Sequence, residues 1–185
     1  FTFCHELGHF FIDGHRNALI HGEVPYLSSF TGFSSERIVE READFFASCL
    51  LMPRSRAIRY YRNHRRFSFA IIQGLSEKYQ MSEVATIYRL LHLDLHPLMI
   101  VKASNDQIVS IQKSNDFYHY PKGGRDFIPE HSLMYEAVRG EVRVNKTEQI
   151  WTGDWFRTRG EEAPLFEHCI YYEQFDVCYS ILWQN

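Results

Sequence analysis

The segment His5-Glu6-Leu7-Gly8-His9 is the part of this chain whose residue types and spacing carry chemistry. Two histidines four apart on a helix project from one face, one turn apart. Imidazoles so placed can share one Zn²⁺ at about 2.0–2.1 Å each. Glu6 then lies beside the metal, where a carboxylate can take a proton from a metal-activated water. This is the HExxH arrangement of zinc peptidases, though five residues also match by chance as helix histidines around a surface acid. The apolar flanks Phe1, Phe3, Leu7, Phe10 and Phe11 predict a helix buried inside a domain.

A catalytic zinc takes three protein ligands and keeps a fourth position for water. The segment Glu40-Arg41-Glu42-Ala43-Asp44-Phe45-Phe46-Ala47-Ser48-Cys49-Leu50-Leu51-Met52-Pro53 offers the third. Glu40 is a good candidate ligand. Asp44 lies on the same helical face and can accept the free ring N–H of a ligating histidine. Ala43, Phe46, Ala47, Leu50 and Leu51 form the opposing apolar stripe, Pro53 ends the helix, and Ser34 or Ser35 is its expected N-cap. Without the histidine pair, this would be an ordinary amphipathic helix with solvated acids.

Taken together, HELGH followed by E-x-x-A-D-x-F-A-x-x-L-L-M-P resembles the ImmA/IrrE family of bacterial and phage zinc metallopeptidases, specifically over residues 1–53. The resemblance implies His5, His9 and Glu40 as Zn²⁺ ligands and Glu6 as catalytic base, in a gluzincin-like site. Asp44 stands where the family commonly has Asn, which keeps an acceptor and adds charge near the metal. The resemblance also implies a protein substrate: a helix-turn-helix repressor, cut under stress or to derepress a mobile element. The alternative is a non-catalytic metal-binding module that regulates by binding a repressor or DNA. The intact Glu6 argues against it, since a scaffold needs no base. Domains of this kind carry a small sheet and a helix before the HExxH helix, whereas Phe1 stands four residues before His5. The sequence is therefore expected to lack the N-terminal portion of its catalytic core.

His15 is a rival third ligand, six residues after His9 as in the metzincin signature HExxHxxGxxH. That signature needs glycine three residues after the second histidine, and Ile12 stands there. Gly14 would turn the chain too late, so Glu40 is preferred. Asp13-Gly14 reads instead as a helix stop, with His15 at the helix end, and His21 as a loop or surface residue.

Composition bounds the rest. The chain has 185 residues, 45% hydrophobic and 16% aromatic, enough for a real core in one or two domains. A net charge of −3 argues against a general nucleic-acid binder. Cys4, Cys49, Cys169 and Cys178 show no CxxC spacing, and with no signal peptide they read as reduced thiols of a cytoplasmic protein. No apolar run is long enough to span a membrane.

The expected architecture is α+β: a helical zincin-type core over residues 1–96, followed by a small β-rich domain over 97–185. Arg54, Arg56, Arg59, Arg62, Arg65 and Arg66 form a cationic run, read as a solvated helix face rather than a DNA or acidic-substrate contact. Tyr60, Tyr61 and His64 are candidates to polarise the scissile carbonyl. Residues 67–93 resemble a helix-turn-helix. One helix runs through Phe69, Ile72, Leu75 and Tyr79 and breaks at Gln80-Met81. A second, capped by Ser82, runs through Val84, Ile87, Leu90 and Leu91, with Glu83, Thr86 and Arg89 facing outward. A structural hairpin is preferred to a DNA reader. Beyond His96-Pro97, 98–101 and 108–111 flank an Asn105-Asp106 turn, 113–135 is a long connection, and 140–151, 165–172 and 176–183 are strand-rich. Some members of the resembled family carry a GAF-like sensor domain here. Trp151, Trp155 and Trp183 suit an aromatic core better than a ligand pocket.

Overall fold

The computed structural model describes residues 1–21, 33–123, 127–140, 145–158 and 160–185. It is an α+β structure: a helical N-terminal part, then a five-stranded antiparallel sheet. Two compact units are formed. One comprises residues 1–64 and 70–89, the other residues 65–69 and 90–185.

In the first unit, α1 (Thr2–Phe11) and α2 (Asp13–His21) are separated by one extended residue, Ile12. The chain breaks a residue earlier than Asp13-Gly14 suggested. Asp13 opens α2, where an acid favours the helix N-terminus, instead of closing α1. His15 thus sits inside a helix, and His21 is exposed at its end. Helix α3 (Phe33–Leu51) already includes Ser34 and Ser35, so neither serine is its N-cap. The predicted loop ahead of it falls mostly on residues 22–32, outside the described residues. Pro53 stops α3 and caps α4 (Arg54–Arg62), its fixed φ of −60° suiting that junction. The arginines of α4 face solvent around a single buried Ala57.

Helix α5 (Phe69–Tyr79) and α6 (Glu83–Leu93) follow the predicted pattern. Phe69, Ile72, Leu75, Tyr79, Ile87, Leu90 and Leu91 are buried. Gln80 takes the left-handed conformation at the break, and Ser82 Oγ accepts from Ala85 N at 3.1 Å. The expected outward face is corrected. Thr86 is fully buried and Arg89 is only 5% exposed. The Arg89 guanidinium donates to the Met52 carbonyl at 3.1 Å and to Cys49 Sγ at 3.0 Å. A cation here satisfies the open carbonyls at the end of α3, so its charge is spent inside the unit.

The second unit is built on a sheet of order β2-β1-β5-β4-β3. Its strands are β1 (Leu98–Ser104), β2 (Gln107–Lys113), β3 (Asn145–Trp151), β4 (Pro164–Tyr172) and β5 (Val177–Trp183). Asn105 and Asp106, both at positive φ, close the β1–β2 hairpin as a primed turn requires. Two short helices, α7 (Leu133–Val138) and α8 (Thr152–Trp155), complete it. One sheet face builds a core of Met99, Val101, Phe117, Met134, Trp155 and Leu182, among others. On the opposite face Phe67 packs edge-on to Trp183, and Phe69 stacks on His168. Trp155 and Trp183 are thus core residues, while Trp151 is half exposed.

Buried Glu167 organises this unit. It accepts from Leu133 N (3.0 Å), Met134 N (3.2 Å), Trp155 Nε1 (3.1 Å) and the Ser180 hydroxyl. Burial pushes its carboxyl above the usual range, and those four donors pull it back. His168, beside it on the other face, bonds Thr147 Oγ1 and Asn145 Oδ1, each at 2.8 Å. Burial pushes this imidazole down to about 4. Between about pH 4 and 6.5 the folded chain then binds fewer protons than the unfolded chain, so this stabilisation is present above pH ~6.5 and lost as pH falls through the window. Allowing for partial solvation, the loss is about 2 kcal/mol. Urea unfolding of this unit between about pH 4.5 and 7 checks it: the rise of stability with pH should shrink by that amount in His168→Gln.

Candidate metal centre

The site begins with how closely α1 and α3 approach. A Cβ added at Gly8 would lie 3.0 Å from the Ala43 Cα, 3.2 Å from its carbonyl oxygen and 3.3 Å from the Phe46 ring. Glycine facing alanine lets the two backbones nearly touch, and Phe11 stacks on Phe46 one turn further along. This contact puts the His5–His9 face of α1 against the Glu40–Asp44 face of α3.

Across that seam three donor groups converge. The ligand atoms of His5, His9 and Glu40 all lie within 4.8 Å of one another. His5 Nε2 is 3.1 Å from His9 Nε2 and 3.2 Å from a Glu40 oxygen, and His9 Nε2 is 3.6 Å from the other Glu40 oxygen. The far nitrogen of His5, Nδ1, donates to Asp44 Oδ1 at 2.9 Å. That bond commits the Nδ1 proton, leaving Nε2 of the neutral ring as a lone pair aimed at a carboxylate. Groups of this polarity repel at such distances unless a proton or a cation lies among them. A tetrahedral ion with bonds of about 2.0–2.1 Å holds its ligands about 3.3–3.4 Å apart, which the measured separations bracket. The donor set therefore fits a divalent metal of the zinc type.

Glu6 is exposed on α1 between the two histidines. Glu40 and Asp44 are more than half exposed, so the centre is open to solvent. His15, the rival, is buried and bonds Glu42 Oε2 at 2.9 Å, its ring centroid 5.1 Å from that of His9. This pairing of His15 with Glu42 had no signal in the spacing of either residue. Of the candidate carbonyl-polarising groups, Tyr60 packs against Gly74 and tilts onto His64, whose Nδ1 meets the Tyr60 carbonyl at 3.1 Å. Burial raises the Tyr61 hydroxyl.

The apolar flanks of α1 are not buried as expected. Phe3 is 74% exposed and Phe10 and Phe11 are each 58% exposed; only Gly8 is buried. The helix packs against α3 and α2, and these phenylalanines stay largely in solvent.

The IrrE N-terminal-like domain, a peptidase family, matches residues 1–91. Residues 1–91 belong to the ImmA/IrrE family. No curated protein matches it. Among solved structures it is similar to a Mycobacterium tuberculosis transcriptional regulator at a TM-score of 0.59 and 10% identity. The similarity covers 98% of this chain and 55% of the regulator, so the chain spans about half that structure's length and shares its fold. The family is one of metallopeptidases, and the donor cluster of this member lies within the matched residues.

Because the α1–α3 seam sets every distance in the cluster, Gly8→Ala tests it directly. Added helix propensity offers about 1 kcal/mol, but the methyl must push backbone rather than a side-chain tip. The expected outcome is a net loss of about 1–2 kcal/mol in urea unfolding together with weaker binding of added Zn²⁺.

Proposed function

We propose that this chain is the core of a zinc-dependent endopeptidase whose substrate is a helix-turn-helix transcriptional repressor. The observation that carries the reading is the convergence of His5 Nε2, His9 Nε2 and a Glu40 oxygen, with Asp44 holding the other nitrogen of His5. His5, His9 and Glu40 would hold the ion. Its contribution when bound is Lewis acidity toward the scissile carbonyl and a water acidified to a pKa near ~7. Glu6 would act as the base that accepts a proton from the attacking water and returns it to the leaving amine. Asp44 fixes the tautomer and direction of His5 by accepting its Nδ1–H. The open face of the cluster admits an extended peptide. Cleavage of a repressor would serve a stress response or derepression of a mobile element. The M. tuberculosis structure of similar fold is a transcriptional regulator, which supports a regulatory setting. All four cysteines are free of disulfides, with Cys169 Sγ 3.1 Å from Cys178 Sγ as a thiol contact, which suits the cytoplasm. No helix of the described residues is long and apolar enough to cross a membrane.

The alternative is a non-catalytic metal-binding module that regulates by contact alone. Glu6→Gln separates the two. It should retain metal and lose cleavage of a helix-turn-helix repressor by about 100-fold or more, because the amide keeps the shape but cannot accept the proton. Wild-type cleavage by that variant would sink the mechanism.

Metal content is measured separately. Elemental analysis should give about one Zn²⁺ per chain, abolished by Glu40→Ala and unaffected by His15→Ala. In chelator competition Asp44→Ala should weaken affinity by about 10–100-fold, and Asp44→Asn less, since its amide oxygen still accepts the imidazole N–H. Equal affinities for all three proteins would remove Asp44 from the site and leave the ligands standing.

A further inference from the structure

The first unit holds a second polar site that shares no residue with the metal cluster. Between α4 and the end of α5 lies a depression of about 380 Å³, lined by Arg56, Arg59, Tyr60, Asn63, Lys78 and Tyr79. Three of its six lining residues are cations and none is an acid. No ion pair engages Arg56, Arg59 or Lys78 among the described residues. Arg56 and Arg59 are three apart on α4, so their guanidinium forks share one side of the helix. The Lys78 ammonium lies 5.4 Å from the centroid of the Tyr60 ring and 5.9 Å from that of Tyr79, which holds it at the rim. Gly74 is what admits Tyr60: a Cβ there would overlap the tyrosine hydroxyl.

A second observation points to a ligand. Tyr79 is 8% exposed, and its buried hydroxyl has no hydrogen-bond partner. An unpaired buried hydroxyl costs about 1–3 kcal/mol, and the residue that carries it is one of the six that line the depression. Guanidinium forks, an ammonium, an amide and a phenol are all donors suited to one tetrahedral oxyanion.

We propose that this pocket binds the phosphomonoester dianion of a small molecule, either inorganic phosphate itself or a nucleoside monophosphate. Charge decides between a phosphoryl group and a carboxylate: a phosphomonoester brings about two negative charges and three acceptor oxygens at neutral pH, against one charge and two oxygens. Shape decides between a small molecule and a nucleic acid. The depression is of small-ligand size, whereas duplex DNA needs an extended basic face. Helix α6 adds none to the short arginine face of α4, since Thr86 is buried and the Arg89 guanidinium is bound to Met52 and Cys49.

The test is calorimetric titration of the whole chain with inorganic phosphate, adenosine monophosphate, adenosine and a twelve-base-pair DNA duplex. Phosphate and the nucleotide should bind and adenosine should not. Arg59→Ala and Arg56→Ala should each weaken binding by about tenfold or more, and Arg56→Lys should weaken it less than Arg56→Ala. Tyr79→Phe removes only the unpaired hydroxyl. It should unfold no more easily than wild type and still lose several-fold in phosphate affinity. Two results overturn the proposal. One is no binding of either phosphate compound. The other is a duplex that binds tighter than the nucleotide and responds to the same substitutions. Metal content and repressor cleavage are read independently, so this pocket and the peptidase reading fail or stand apart.

Discussion

The backbone contact between Gly8 and Ala43 is the constraint on which the candidate metal centre depends. A metal-ligand set tolerates only a few tenths of an ångström, and the candidate members here come from two helices, with His9 and Glu40 31 residues apart in the chain. Two helices pack at 8–10 Å according to the side chains between them. Glycine against alanine takes the short end of that range. The histidine pair and the Glu40–Asp44 pair then face one another across the narrowest part of the seam. With a larger residue at position 8, the same three candidate ligands would sit on the same helices and fail to converge.

Which features were legible in the sequence follows from the range of the interactions that make them. The two histidines are four apart on one helix, and Glu40 and Asp44 are four apart on another. Helical geometry alone puts each pair on one face, and the structure brings the two faces together. The Asn105-Asp106 hairpin, the break at Gln80 and the Ser82 cap are equally local, each fixed by one or two backbone dihedrals or a single side-chain bond.

The illegible features are those decided by partners far away in sequence. Arg89 lies on what a periodicity count makes a polar face, yet it turns to the end of α3 because four carbonyls there lack helical partners. The phenylalanines of α1 read as core because apolar residues usually are. Their exposure depends on what else packs there, which no pattern within ten residues encodes. His15 pairs with Glu42, 27 residues on, and only the α2–α3 arrangement creates that neighbourhood. Ser34 and Ser35 are good caps at which α3 simply does not start.

Carboxylates in the two units follow opposite rules, and the contrast separates stability from chemistry. Glu167 is withdrawn from water, so every lone-pair direction must meet a donor. It draws two backbone amides, an indole and a hydroxyl, tying α7 and Trp155 to strands β4 and β5. Such a group is costly to leave half-satisfied, and its place in the core leaves it nothing to offer a ligand. Glu40 and Asp44 remain half in water and make few fixed bonds. Hydration bears the cost of their charge, and their free lone pairs are what a cation would need. A carboxylate that anchors a fold and a carboxylate that binds a metal can thus be told apart by how many donors already surround it. By that measure Glu167 is structural, while Glu40 retains the capacity to ligate.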